Sequence, residues 1–285
     1  MIAVFGFFMT VWAAGEFLSY PAHRSIGIAP TELPIQQITI TTKNPATNDI
    51  HKIVGWLIQG QVNQGVILLL HGVRGDRREM LPRARFLHHL GYTVFLIDLP
   101  VHGESSGDHI TFGHNEAAGV NAALDFLRSR FPNEHIGAVG VSLGAASLVL
   151  AKPKPALDAV VLESMFPTIE NAVDNRMDFY LGSKAHLLSP LLLWQLPLRL
   201  HVSTSQLSPI SVISGIHSPL LIASGAVDRY TPLSETQSIY TAALQPKSLW
   251  VVDGAGHVDL YAHDPKEYEH RISEFFGKYL PQQPS

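Results

Sequence analysis

Ser142 lies in Gly140-Val141-Ser142-Leu143-Gly144, a G-x-S-x-G pattern. A serine hydroxyl becomes a nucleophile when a neighbouring base takes its proton. A serine carried on a sharp strand-to-helix turn needs small neighbours so that the backbone can pass, which this spacing supplies. Histidine is the base that titrates near neutral pH, and the chain has 15 of them. His257 is the candidate, because it closes Asp253-Gly254-Ala255-Gly256-His257, a small-residue loop after an apolar run. The imidazole needs an acid that fixes its tautomer. Asp228, in Ser224-Gly225-Ala226-Val227-Asp228, and Glu163 each follow a strand-like run and compete for that role. Asp253 is too near His257 in sequence and reads as a turn former.

A negative oxygen developing in the transition state needs preoriented N–H donors. His71-Gly72-Val73-Arg74-Gly75 follows an apolar run, and its glycines let the backbone fold under a substrate oxygen. The amides of Val73 and Leu143 are the candidate donors. His71 and His102 read as structural hydrogen-bonding residues, since the base role is filled. Arg74, Arg77, Arg78, Arg83 and Arg85 crowd one short stretch, offset only by Asp76 and Glu79. They read as the solvated face of a helix, or as a positive rim that favours anionic substrates with Arg74 as its substrate-binding member.

These residues must be held by regular elements. Residues 36–42 and 50–59 look like two early strands, divided by the turn formers Asn44, Pro45 and Asn48. Continuous apolar runs at 66–70, 92–97, 136–141 and 159–162 have the pattern of strands buried on both faces. Strands are also expected at 219–223 and 248–252. Helical periodicity covers 80–90, 115–131, 143–151, 233–243 and 267–279. Strand–helix alternation implies an α/β fold, a mostly parallel sheet with helices on both faces. The rhythm breaks over about 166–217, which is too long for a plain loop and is a candidate lid insertion. Its apolar run 187–200 either suggests a substrate with a hydrophobic part or packs on the core.

HGVRG, DLPVHGES, GVSLG, GAVDRYTP and GAGHVD fall in the order and context of α/β-hydrolases. The chain resembles the serine aminopeptidase-type members and the membrane-tethered bacterial hydrolases of unknown substrate, over about residues 36–280. That resemblance implies the α/β-hydrolase fold and a triad of Ser142, Asp228 and His257, with oxyanion amides at Val73 and Leu143. The resemblance puts the acid at Asp228, with Glu163, after an earlier strand, as the competitor. Arg74 departs from the small or apolar residue found there in many relatives.

The apolar fraction of 46% against 15% charged residues suits one sizeable core. With 20 Lys+Arg against 24 Asp+Glu, the chain has no general attraction to nucleic acid. The absence of cysteine excludes disulfides, thiolate zinc sites and a cysteine nucleophile. There is no H-E-x-x-H, no phosphate loop and no dinucleotide fingerprint, so neither a metal nor another cofactor is expected. The run MIAVFGFFMTVWAAG is apolar up to Glu16. Residues 1–20 read as a membrane anchor or export segment, or else as an arm lying on the catalytic domain at 34–285. Membrane association or export follows from the first reading, and a cytoplasmic place stays open under the second. The expected partner is a small-molecule acyl substrate, cleaved as an ester, thioester or amide through an acyl-enzyme. A peptidase or acyltransferase could use the same triad, and a ligand-binding receptor with slow turnover is the reading from another class. Oligomeric state is not legible in the sequence.

Overall fold

The computed structural model describes residues 2–44, 47–154 and 156–281. Met1, Pro45 and the last four residues of the expected catalytic domain lie outside these. Eight of the described strands form one sheet: β1 (Ile35–Lys43), β2 (Ile50–Ile58), β3 (Val66–Leu70), β4 (Thr93–Ile97), β5 (Ile136–Val141), β6 (Ala159–Glu163), β7 (Leu220–Gly225) and β8 (Lys247–Val252). Their spatial order is β8-β7-β6-β5-β3-β4-β2-β1. Pairing is parallel from β8 through to β4, and β2 is antiparallel to both of its neighbours. This is the sheet that the strand–helix alternation implies. β3, β4 and β6 are buried at every residue, as expected for strands with helices on both faces.

One face of the sheet is covered by α3 (His114–Arg130), α4 (Leu143–Leu150) and α8 (Leu233–Ala242), through residues such as Leu124, Leu148 and Ile239. α2 (Leu81–His89) and α9 (Pro265–Tyr279) cover the other, through Leu87, Tyr268 and Phe276. α4 is buried along its whole length, which its small and aliphatic residues allow. β3 lies between β4 and β5, so the chain leaves it in one direction and later returns on its other side. Such a switch point opens a crevice at the carboxyl ends of the strands.

The segment between β6 and β7 is helical. It contains α5 (Ile169–Leu181), α6 (Ser189–Leu193) and α7 (Leu196–Leu200). Thr168 starts α5 by accepting a hydrogen bond from the Asn171 amide. The apolar run 187–200 is divided in the structure. Leu196 and Leu200 are buried, whereas Leu187, Trp194 and Leu198 are exposed.

The N-terminal run is α1 (Ile2–Ser19), and it meets this helical segment. Gln195 Nε2 donates to Val11 O at 3.0 Å, and Arg199 Nη1 donates to Trp12 O at 3.0 Å. Arg199 also pairs with Glu16, and the Trp12 and Trp194 rings lie 6.4 Å apart. A Cβ on Gly15 would sit 2.5 Å from Gln195 Oε1, so the glycine permits the approach. Ala22–His23 then adds a two-residue parallel ladder to His102–Gly103, too short to leave a pattern in sequence. Among the described residues no helix is long and apolar enough to cross a membrane, and α1 takes the place of an arm on the domain. Its outer side keeps Phe5, Phe8, Met9 and Phe17 exposed.

Candidate active site

β5 runs directly into Ser142, and α4 starts at the next residue. Ser142 has φ 49° and ψ −107°, a conformation that costs a non-glycine residue about 1–3 kcal/mol. The surroundings fix it. Its amide donates to Glu163 O at 2.8 Å, and its carbonyl accepts from the Ala146 amide at 3.0 Å. A Cβ on Gly140 would come within 2.6 Å of Ala145 N, and one on Gly144 within 2.5 Å of Leu70 O. Both glycines of the G-x-S-x-G pattern are therefore required by close backbone packing. The turn aims the serine into a cleft at the carboxyl ends of the strands.

Asp228 follows β7 and His257 follows β8. The two loops are tied together where Ala226 N donates to Val252 O and Val227 N donates to Ala255 O, at 2.8 and 2.9 Å. His257 Nδ1 and Asp228 Oδ2 are 2.8 Å apart. The Asp228 carboxylate is saturated. Oδ1 accepts from the Tyr230 and Thr231 amides at 2.8 and 2.9 Å, and Oδ2 also accepts from Thr231 Oγ1 at 2.8 Å. Burial pushes its pKa upward, but the His257 hydrogen bond and charge, with the Thr231 donors, outweigh that and hold it below the ordinary aspartate value. An ionised Asp228 requires Nδ1 to carry the proton, which leaves Nε2 free as the basic nitrogen. Ser142 and His257 line one cleft. Among the described residues they make no hydrogen bond to each other, the loose spacing that unliganded sites show.

The cleft has a volume of about 600 Å³. Its walls include Gly72 and Val73 after β3, Met80, Val141, Tyr230 and Val258. A Cβ on Gly72 would lie 3.9 Å from Ser142 Cβ, so the loop carrying Val73 passes beside the serine. Leu143 is the first residue of α4, where amides point out of the helix toward the cleft. Ser142, Asp228, His257, Val73 and Leu143 are thus gathered at one place. Arg74 is not among the residues that line it. Its guanidinium donates to Phe17 O and lies over the Phe17 ring at 5.3 Å, fastening the end of α1. The run 187–200 also stands away from this cleft. Leu192, Leu193, Leu196 and Leu200 line a small apolar crevice with Gly15 and Leu18 of α1.

The arginine cluster is not a solvated helix face. Arg77 is fully buried, pairs with Asp98 and Glu104, and stacks over Trp56 at 4.6 Å. Arg83 is buried against Glu163, with Nη2 2.7 Å from Oε2 and Nε 3.0 Å from Tyr268 Oη. Only Arg74, Arg78 and Arg85 reach solvent. Two of the five arginines therefore cross-link the core, because each meets a carboxylate far away in sequence. The same bonds remove Glu163 from contention as the acid, since its oxygens are turned to Arg83 and Tyr268. His71 and His102 fit the structural role expected of them. The Leu99 amide donates to His71 Nε2 at 3.0 Å, and Nδ1 lies 2.7 Å from Gly72 O. Burial first, and the charge of His102 second, push the His71 pKa down to about 3.

Sequence reasoning missed Ser164 and Tyr180 among the lining residues, and above all Arg176 of α5. It sits in a helix of ordinary composition, and no motif marks it.

The sequence model of the alpha/beta hydrolase family matches residues 67–271. Among relatives, the uncharacterized protein YqkD of Bacillus subtilis is 24% identical over 231 residues, covering 79% of this chain and 75% of that protein. The uncharacterized protein Rv2307c of Mycobacterium tuberculosis is 29% identical over 260 residues, covering 89% and 84%. Among solved structures, the esterase Pf2001 of Pyrococcus furiosus superposes with a TM-score of 0.73 at 23% identity, over 92% of this chain and 98% of that one. At that identity the likeness speaks to the fold alone.

Proposed function

The chain belongs to the alpha/beta hydrolase family, and from that premise we propose that it is a serine hydrolase that cleaves esters. The observation that carries this reading is the 2.8 Å contact between His257 and a saturated, ionised Asp228, in the cleft that also holds Ser142 at positive φ. Ser142 Oγ attacks the ester carbonyl while His257 Nε2 takes its proton. The carbonyl oxygen becomes an oxyanion beside the amides of Val73 and Leu143. His257 returns the proton to the departing alcohol, leaving an acyl-enzyme. Water then attacks the acyl carbon, His257 again accepts the proton, and the carboxylic acid leaves with Ser142 restored. Met80, Val73, Val141 and Val258 in the cleft walls support an apolar part on the substrate.

Peptidase or acyltransferase chemistry on the same triad, and slow-turnover ligand binding, are the competing outcomes. The test is kinetic comparison of p-nitrophenyl esters of graded acyl length with the matching thioesters and aminoacyl p-nitroanilides. The proposal predicts turnover of the esters with the higher kcat/KM. Faster cleavage of the anilides would make it a peptidase, and stoichiometric binding without turnover would make it a receptor.

For localisation, the exposed Phe5, Phe8, Met9 and Phe17 of α1 support a second reading, association with a lipid surface without spanning it. Cosedimentation of the full chain with lipid vesicles tests this. A chain that stays wholly in the supernatant contradicts it.

A further inference from the structure

Among the described residues, Arg176 is the cleft cation without a carboxylate partner. Arg78 is held by Asp76, with Nε 2.8 Å from Oδ1, and Arg83 by Glu163 and Asp259. Arg176 forms no ion pair among the described residues. The two carboxylates whose charge reaches it are engaged elsewhere, Asp228 with His257 and Glu235 with Asn175. Its Nη1 donates to Ala172 O at 3.0 Å, and its guanidinium lies over the Tyr230 ring at 4.9 Å. Tyr230 in turn lies 5.2 Å from the His257 ring. Two contacts of about 5 Å therefore separate the guanidinium from the general base. Stacking fixes the plane of the group, and the bond to Ala172 occupies one nitrogen. The edge formed by Nε and Nη2 carries no hydrogen bond among the described residues. That edge presents two parallel N–H donors, the arrangement that accepts both oxygens of a carboxylate. The carboxylates of Glu79 and Asp259 also line the cleft, Asp259 paired with Arg83.

We propose that Arg176 selects the substrate: the esters this protein cleaves carry a second, free carboxylate that binds the Nε–Nη2 edge while the ester carbonyl faces Ser142. The assignment rests on the esterase reading above and narrows its substrate class to half-esters of dicarboxylic acids or esters of carboxylate-bearing alcohols. It moves the role of anion reader from Arg74, which fastens α1, to a residue that lines the cleft.

Two matched pairs test it. Monomethyl adipate and methyl hexanoate differ only by a carboxylate on the acyl side. 4-Acetoxybenzoate and 4-methylphenyl acetate differ only on the alcohol side. A charge-assisted two-point contact corresponds to roughly a 10- to 100-fold effect. In at least one pair the anionic member is expected to have the higher kcat/KM by that factor, mainly through KM. Arg176→Gln should bring the ratio within the pair to about one. Arg176→Lys, which keeps the charge but loses the planar fork, should keep only part of it. A wild-type ratio near one or below in both pairs overturns the inference, and so does a preference that survives Arg176→Gln. Calorimetric titration of monomethyl adipate and methyl hexanoate into Ser142→Ala protein reads the same preference as a Kd ratio, without turnover. If no ester is turned over but the titration shows a preference that Arg176→Gln removes, the esterase reading has failed and the anion site stands. If esters are turned over and neither kinetics nor titration shows a preference, the anion site has failed and the esterase reading stands.

Discussion

The strand-end loops that hold Ser142, Asp228 and His257 are built differently from the helices α1, α5, α6 and α7 that gather beside them. In the first region the acid and the nucleophile turn are held by fixed partners. Asp228 accepts four hydrogen bonds, the Ser142 turn is pinned through Glu163 O, and Arg83 ties that strand end to α9. The second region leaves large apolar side chains in the open, among them Phe5, Phe17, Leu187, Leu198 and Tyr180. Its joints are a few contacts between α1 and the α6–α7 turn. The triad is thus held by the sheet, while the exposed apolar surface is carried on the less tightly tied helices. A reaction needs its reacting groups held to fractions of an ångström, whereas the choice of substrate can be set by a few side chains on a separate element.

The comparison breaks most readily at the acid. Asp228→Asn should lower kcat by about 10⁴, because an amide at this position favours the wrong imidazole tautomer. Glu163→Gln should leave kcat within a few-fold, since Glu163 faces Arg83 and Tyr268. Steady-state kinetics on the two variants decides, and reversed effects would assign the acid to Glu163. The same Glu163→Gln variant should nevertheless lose stability. It leaves a buried guanidinium short of a partner, a change worth about 3–5 kcal/mol, nearer the lower end because Asp259 stays 2.7 Å from Arg83. Denaturant unfolding measures it. A variant as stable as wild type would mean that the pair does not cross-link the core.

A milder probe addresses the helical region. Gly15→Val places a side chain against Gln195 and Arg199, and overpacking of this kind costs about 1–3 kcal/mol. The expected result is early proteolysis within residues 1–20 with esterase activity retained. Deletion of residues 1–20 should go further and lower the melting temperature, because it uncovers Leu196 and Leu200. Unchanged proteolysis and melting in both would show that α1 is not docked.

The smallest expected effect is a pH slope from His71. It stays neutral in the folded protein down to about 3, against 6.5 for a free histidine. Between those values the unfolded chain binds one more proton, so unfolding is favoured as the pH falls. The contribution of His71 is complete above about pH 6.5 and is lost progressively toward pH 3. His71→Asn should flatten the dependence of the unfolding midpoint between pH 7 and 5. Equal slopes in the two proteins would contradict this.

Much of the rigid region could be read from the sequence because its signals are local. The runs 66–70 and 136–141 became strands with those very bounds, and the first glycine of G-x-S-x-G, Gly140, meets the backbone of Ala145 just beyond the turn. The positions of Asp228 and His257 at strand ends followed from the alternation. What escaped depends on partners distant in sequence. Arg77 and Arg83 looked like surface charges because their carboxylates, Asp98 and Glu163, lie 21 and 80 residues away. Arg176 lay unmarked in the stretch 166–217, and its place in the cleft depends on how α5 packs. The run in α1 had the hydropathy of an anchor, and nothing local told that its glycine packs on Gln195.

The proposed chemistry depends on Ser142 as the nucleophile. A fluorophosphonate probe, followed by peptide mass spectrometry, tests it in one measurement. One adduct per chain is expected, on the peptide containing Ser142, absent from Ser142→Ala protein of native circular dichroism and sharply slowed in Asp228→Asn. An adduct of equal yield on Ser142→Ala protein, or one mapped to another serine, would contradict it.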